Sequence, residues 1–173
     1  MSDIKPYKIK ISNEDLEDLK GRLSSTRWPE KETVEDWSQG VPLSYIKEVH
    51  DYWINEYDWR SREEYYNSFP QFITDIEGID IHFIHIKSKH EEAQPLIMSH
   101  GWPGSIVEFH KVINSLVDPV SYGGKAEDAF HLVCPTLPGY GFSGKPTQTG
   151  TGVERIAELW DLLMNKIGYS EYF

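Results

Sequence analysis

Apolar positions along the first third of the chain recur at spacings of three and four. Leu16, Leu19 and Leu23 mark one face of a first helix, following the 3.6-residue period of an amphipathic helix. Ser12 and Asp15 stand ahead of it at capping-box spacing, so that the serine caps and the aspartate reaches back to the serine amide. The stretch STRWPE ends this helix, because the residue before Pro29 is pushed out of helical geometry. Leu43, Ile46, Val49, Trp53 and Tyr57 repeat the pattern in a second helix. It opens behind Pro42, where a missing amide is tolerated. A short third helix is predicted over 59–67.

At Phe72 the period changes to two. FITDIEGIDIHFIHIKS reads as two strands with Glu77 and Gly78 at the turn, a hairpin. After the acidic loop KHEEAQ, residues 95–99 form a short apolar run and 131–135 another, each bounded by turn residues, as buried strands are. Between them a helix is predicted over 106–117, with Ile106, Phe109, Ile113 and Leu116 inward. A last helix over 153–167 aligns Ile156, Leu159, Trp160, Leu163 and Ile167 in one stripe. This order predicts an α/β fold: a helical region over 1–70, then over 71–173 a hairpin and the first βαβα units of a mixed sheet. A doubly wound sheet would place its next strand after the last helix, where the chain reads GYSEYF.

The 173 residues suffice for one real core. Apolar residues make up 39%, which is a folded composition. The net charge of -11 excludes nucleic acid and anionic membrane as expected partners, since both repel such a surface. The opening MSDIKPYKIK has no apolar leader, and no stretch has the roughly 20 apolar residues of a membrane span. With the lone Cys134 this points to the cytoplasm.

Candidate chemistry sits in two Gly/Pro-rich turns that follow the short strands. In SHGWPGS, His100, Gly101, Trp102, Pro103 and Gly104 force an abrupt turn at the carboxyl edge of the sheet. Ligands of open α/β sheets bind along that edge, and exposed amides there can stabilise an oxyanion. In LPGYGFSGK, Ser143 nearly fits a G-x-S-x-G elbow, but Lys145 replaces the last glycine and no helix follows, so Ser143 is expected to be structural. Gly139, Gly141 and Gly144 formally fit G-x-G-x-x-G, yet the Pro-rich sequence beyond them denies a phosphate-binding context. His82 and His85, three apart on a strand, face opposite sides and cannot chelate one ion. The other histidines are scattered, so neither a metal nor a cofactor is expected. Cys134, between apolar neighbours in mid-strand, reads as a core residue.

RWPE, DWSQGVPLSYIKEVHDYWINEYDWR, FPQFITDIEGIDIHFIH, SHGWPGSIVEFHKVI and PTLPGYGFSGKP occur in that order. From about Asn13 onward the chain resembles the N-terminal region of microsomal-type epoxide hydrolases, a branch of the α/β-hydrolase fold. The resemblance implies a helical region wrapped around an incomplete hydrolase core. It also implies that the H-G-x-P turn formed by His100, Gly101, Trp102 and Pro103 supplies an oxyanion donor, the Trp102 amide, with a cis bond before Pro103. TQTGTGVERIA departs from the family at Thr151, where relatives often carry an aromatic residue.

Members of this family open epoxides to diols. An Asp attacks a ring carbon to form a covalent ester, a His oriented by an acid activates water, and two lid Tyr protonate the epoxide oxygen. By the resemblance all of these groups lie beyond Phe173, so no catalytic nucleophile is expected here and the isolated chain is expected to be inactive. The substrate of the complete enzyme would be a small apolar epoxide. Two other readings stand beside this one: a non-catalytic interaction module, and part of another hydrolase such as an esterase. In the hydrolase strand order, 95–99 would be an open apolar edge, and the last helix and the 131–135 strand would lose part of their cover. A complementing C-terminal half or self-association is the corresponding partner expectation.

Overall fold

The computed structural model describes residues 3–173 and divides into two units, Ile9–Tyr65 and the remainder. In the first unit, α1 (Asn13–Ser24) and α2 (Leu43–Asn55) follow the predicted stripes. The hydroxyl of Ser12 caps α1 by accepting from the Asp15 amide at 3.0 Å. The carboxylate of Asp15 takes the Ser12 hydroxyl at 2.6 Å, where its amide was expected. His50 Nε2 lies 2.9 Å from the Leu23 carbonyl at the end of α1, one of the acceptors a helix terminus leaves unpaired. Neither helix buries a residue completely. Leu16, Leu19, Leu23, Val49 and Trp53 line a groove of 590 Å³ in this unit. The third helix, α3, spans Trp59–Asn67 as predicted.

The second unit is built on a five-stranded sheet: β1 (Lys5–Tyr7), β2 (Gln71–Ile76), β3 (Ile79–Ile86), β4 (Gln94–Ile97) and β5 (Phe130–Pro135). Its spatial order is β1-β2-β3-β5-β4. The hairpin turns at Glu77 and Gly78, whose φ angles of 51° and 84° are those a two-residue hairpin demands. β5 runs antiparallel to β3 and parallel to β4, with Leu96 opposite Leu132 and Ile97 opposite Val133. The sheet is therefore mixed, as the element order predicts. β1, three residues containing a lysine and a proline, carries no periodic signal; it exists because β2 offers it an edge.

Apolar side chains cover both faces. On one, α5 (Val153–Lys166) packs Leu159, Leu163 and Met164 against Ile81, Phe83 and Val133. On the other, Ile106, Phe109 and Ile113 meet Ile84, Leu132 and Cys134. The helix expected over 106–117 is broken. A 3-10 turn, Ile106–Phe109, is capped by Ser105 and Glu108, and α4 occupies only Ile113–Val117. Val107, Val112 and Ile113 are β-branched and favour a helix weakly. His110 Nδ1 also lies 2.6 Å from the Val107 carbonyl, local bonding that competes with helix propagation.

The expected loss of cover is not found. Leu132, Val133, Cys134, Leu159, Leu163 and Met164 all have zero exposure. Nor is the β4 edge wholly open: Phe173 donates to the Pro95 carbonyl at 3.0 Å and accepts from the Ile97 amide at 2.9 Å. Segment 168–173 thus turns back at Gly168 (φ 97°) to lay one parallel rung on β4.

Candidate functional site

β4 and β5 deliver the two Gly/Pro-rich turns to the same end of the sheet, and a single imidazole joins them. The Leu137 amide donates to His100 Nε2 at 3.1 Å. That nitrogen must carry a lone pair, so the ring is neutral and its proton sits on Nδ1. Nδ1 donates to the Gly101 carbonyl at 3.1 Å, bracing the turn from within. His100 is 3% exposed, and the Tyr140 ring meets it edge-on at 5.8 Å. Trp160 Nε1 donates to Ser99 Oγ at 3.1 Å, fixing the residue just before the turn to α5.

The Trp102–Pro103 peptide is cis, as the resemblance implied. Gly104 sits where a Cβ would lie 2.6 Å from the Gly101 carbonyl oxygen and closer still to Glu108 Oε1. No side chain fits there. Trp102 is 80% exposed, and among the described residues its amide has no hydrogen-bond partner. Such an amide can serve an oxyanion. Its indole projects into solvent and is no part of the core.

The second turn is fixed from behind. Thr136 donates its amide to the His82 carbonyl at 2.8 Å. Ser143 Oγ donates to the Thr136 carbonyl at 2.8 Å and accepts the His82 amide at 3.0 Å. Ser143 is buried and occupied on both sides, the structural role read from the sequence. His82 is completely buried, and burial pushes its pKa down to about 4. Its ring lies between Thr136 Oγ1 at 2.8 Å and Gln71 Oε1 at 2.9 Å. His85, on the opposite face, meets the Tyr169 hydroxyl at 3.0 Å; burial, helped by Lys87 and His131, also depresses it to about 4. Burial drives the Cys134 thiol up to about 12, so it is inert as a nucleophile near neutrality.

Sequence reasoning places His100, Gly101, Trp102 and Pro103 in one turn. It misses the bond from Leu137 to His100 and the ring of Gln71, His82, Thr136 and Ser143, which joins positions up to 72 residues apart. A histidine at a position of β3 buried on both sides was the only available signal. Among the described residues no cluster of three or more His, Cys, Asp or Glu could hold a metal ion, and no helix is long and apolar enough to cross a membrane.

The sequence profile of the epoxide hydrolase N terminus matches residues 4–109. A Stigmatella aurantiaca protein, provisionally named an epoxide hydrolase, is 54% identical over 98% of this chain and 38% of its own length. The solved structure of Aspergillus niger epoxide hydrolase superposes with a TM-score of 0.85 at 35% identity, covering 98% of this chain and 45% of that one. The Bombyx mori juvenile hormone epoxide hydrolase structure gives 0.88 at 31% identity, over 99% and 41%. The chain therefore spans less than half the length of these relatives, and the sheet it carries is a partial α/β-hydrolase fold.

Proposed function

The chain belongs to the epoxide hydrolase family, and from that membership we propose that it forms the N-terminal part of an enzyme converting small apolar epoxides to diols. In this reading an Asp outside these 173 residues attacks a ring carbon. The C–O bond breaks, the oxygen takes a proton, and an enzyme ester results. A His, also outside this chain and oriented by an acid, activates water to attack the ester carbonyl. The oxyanion formed there is the charge that the Trp102 amide receives. Losing one such donor costs about 10²–10³ in rate. The observation that carries the reading is the unpartnered Trp102 amide, held at the carboxyl end of β4 by the His100 brace. We also assign the protein to the cytoplasm, which suits its one inert cysteine.

The test is to assay this chain alone and joined to the C-terminal segment of the Stigmatella aurantiaca relative, following diol release from styrene oxide and an alkyl epoxide. We expect no turnover from the chain alone and turnover from the fusion. The Trp102→Ala fusion should stay within about tenfold, because the donor belongs to the main chain. A fusion that melts cooperatively but hydrolyses only nitrophenyl esters would overturn the reading in favour of an esterase. One that is folded and inert toward both would favour a binding module.

A further inference from the structure

The proton order behind the second turn can be read from one fixed acceptor. Gln71 Nε2 donates to the Tyr66 carbonyl at 2.8 Å, which sets the amide and leaves Oε1 facing His82. His82 Nε2 must then carry the proton and donate, leaving Nδ1 to accept. The Thr136 hydroxyl therefore donates to Nδ1. Among the described residues every buried side-chain polar atom is satisfied. The rings of Tyr7 and Phe142 close the sides at 4.8 and 5.2 Å.

This order bears on one peptide plane, that joining Thr136 to Leu137. Its carbonyl accepts from Ser143 Oγ and its N–H donates to His100 Nε2. The two bonds leave opposite edges of a rigid group, so rotation that loosens one misdirects the other. His82 grips this plane through its ring on the Thr136 side chain, its carbonyl on the Thr136 amide, and its amide on Ser143 Oγ. An apolar residue would fill the same space without burying a polar ring.

We propose that His82 is a positioning residue for the Trp102 amide, acting through Thr136, Ser143 and the Leu137–His100 bond. The inference rests on the reading of that amide as the oxyanion donor. It makes His82 a remote determinant of ester hydrolysis, the step in which an oxyanion forms on the enzyme's carboxyl. Ring opening, where no such charge develops, is independent of it. Misplacement of about 1 Å at a reacting centre is worth up to roughly 10²-fold.

Two arms test it with His82→Phe, Ser143→Ala and the conservative Thr136→Ser. The first uses this chain alone and follows nitrogen chemical shifts of His100 with amide exchange at Leu137 and Trp102. His82→Phe and Ser143→Ala should move the His100 Nε2 signal toward that of a free lone pair and speed Leu137 exchange, whereas Thr136→Ser should leave both in place. The second uses single turnovers of the fused enzyme. Ester formation and kcat/KM should hold within about threefold in His82→Phe and Ser143→Ala, while ester hydrolysis falls about 10–100-fold; Thr136→Ser should retain it.

Unchanged His100 and Leu137 signals in a folded His82→Phe chain would overturn the proposal. So would equal slowing of both chemical steps in proportion to lost stability. Should His82→Phe fail to fold, Ser143→Ala carries the same comparison. If the unsubstituted fusion turns over no epoxide, the functional reading fails, and the first arm still decides whether His82 governs the turn.

Discussion

Two histidines on one strand, His82 buried and His85 partly covered, serve different ends, and both make folding sensitive to acid. His82 and His85 have folded pKa values near 4, below the ordinary 6.5. Below pH 6.5 the unfolded chain binds protons that the folded chain refuses. Stability is therefore fully present above 6.5 and falls as pH drops toward 4. For His82 the slope reaches about 1.4 kcal/mol per pH unit; His85, partly wetted, adds less. Urea unfolding at pH 7, 5.5 and 4.5 should show this decline, and it should be shallower in His82→Phe. Equal slopes would mean that other groups set the acid limit. Gly104→Ala makes a separate point, because its Cβ would meet a main-chain carbonyl as well as the movable Glu108. We expect about 1–3 kcal/mol of destabilisation, and Glu108→Ala should rescue only part of it in the same unfolding measurement.

At the level of elements, period and turn chemistry reveal most of the fold. The 3.6-residue stripes locate α1, α2 and α5, and the switch to period two at Phe72 locates the hairpin with its turn at Glu77 and Gly78. What fails to show in the sequence is whatever depends on a distant partner. β1 exists by pairing with β2, and 106–117 breaks where Ser105, Glu108 and His110 satisfy local groups instead. The β3–β4 connection is another such case. Asp118 accepts from Lys89 Nζ at 2.7 Å, His90 Nε2 at 2.9 Å and Ser121 Oγ at 2.7 Å, and these donors hold its carboxyl far below the usual carboxylate range. Asp118→Asn should lower the melting temperature and speed amide exchange at His90 and Ala93. Unchanged exchange would mean that the Ser88 bond to the Val117 carbonyl suffices.

Across the whole molecule, a net charge of -11 acts on a chain whose sheet is covered on both faces. Like charges oppose compaction, and salt screens them over a Debye length of about 8–10 Å. The melting temperature should therefore rise as sodium chloride goes from 20 to about 300 mM. A fall would mean that ion pairs such as that of Arg155 with Glu77 outweigh the global repulsion. The β4 edge matters on the same scale. Phe173 supplies one rung there, so the Ile97 amide should exchange more slowly than an unpaired edge amide would.

The sequence alone determined the class of each principal element, the mixed α/β order, the two turns and the family, because periodicity, Gly/Pro punctuation and ordered motifs are local properties of the chain. It also assigned Ser143 to structure and put His100, Gly101, Trp102 and Pro103 into one turn. Only the tertiary structure decided that His100 is neutral and links that turn to Leu137, that the Trp102 amide is left unpaired, and that His82 stands behind the second turn. The roles of His100 and His82 depend on hydrogen bonds between residues 37 to 61 positions apart. Such bonds leave no local pattern: they form only once the sheet has set β3, β4 and β5 side by side.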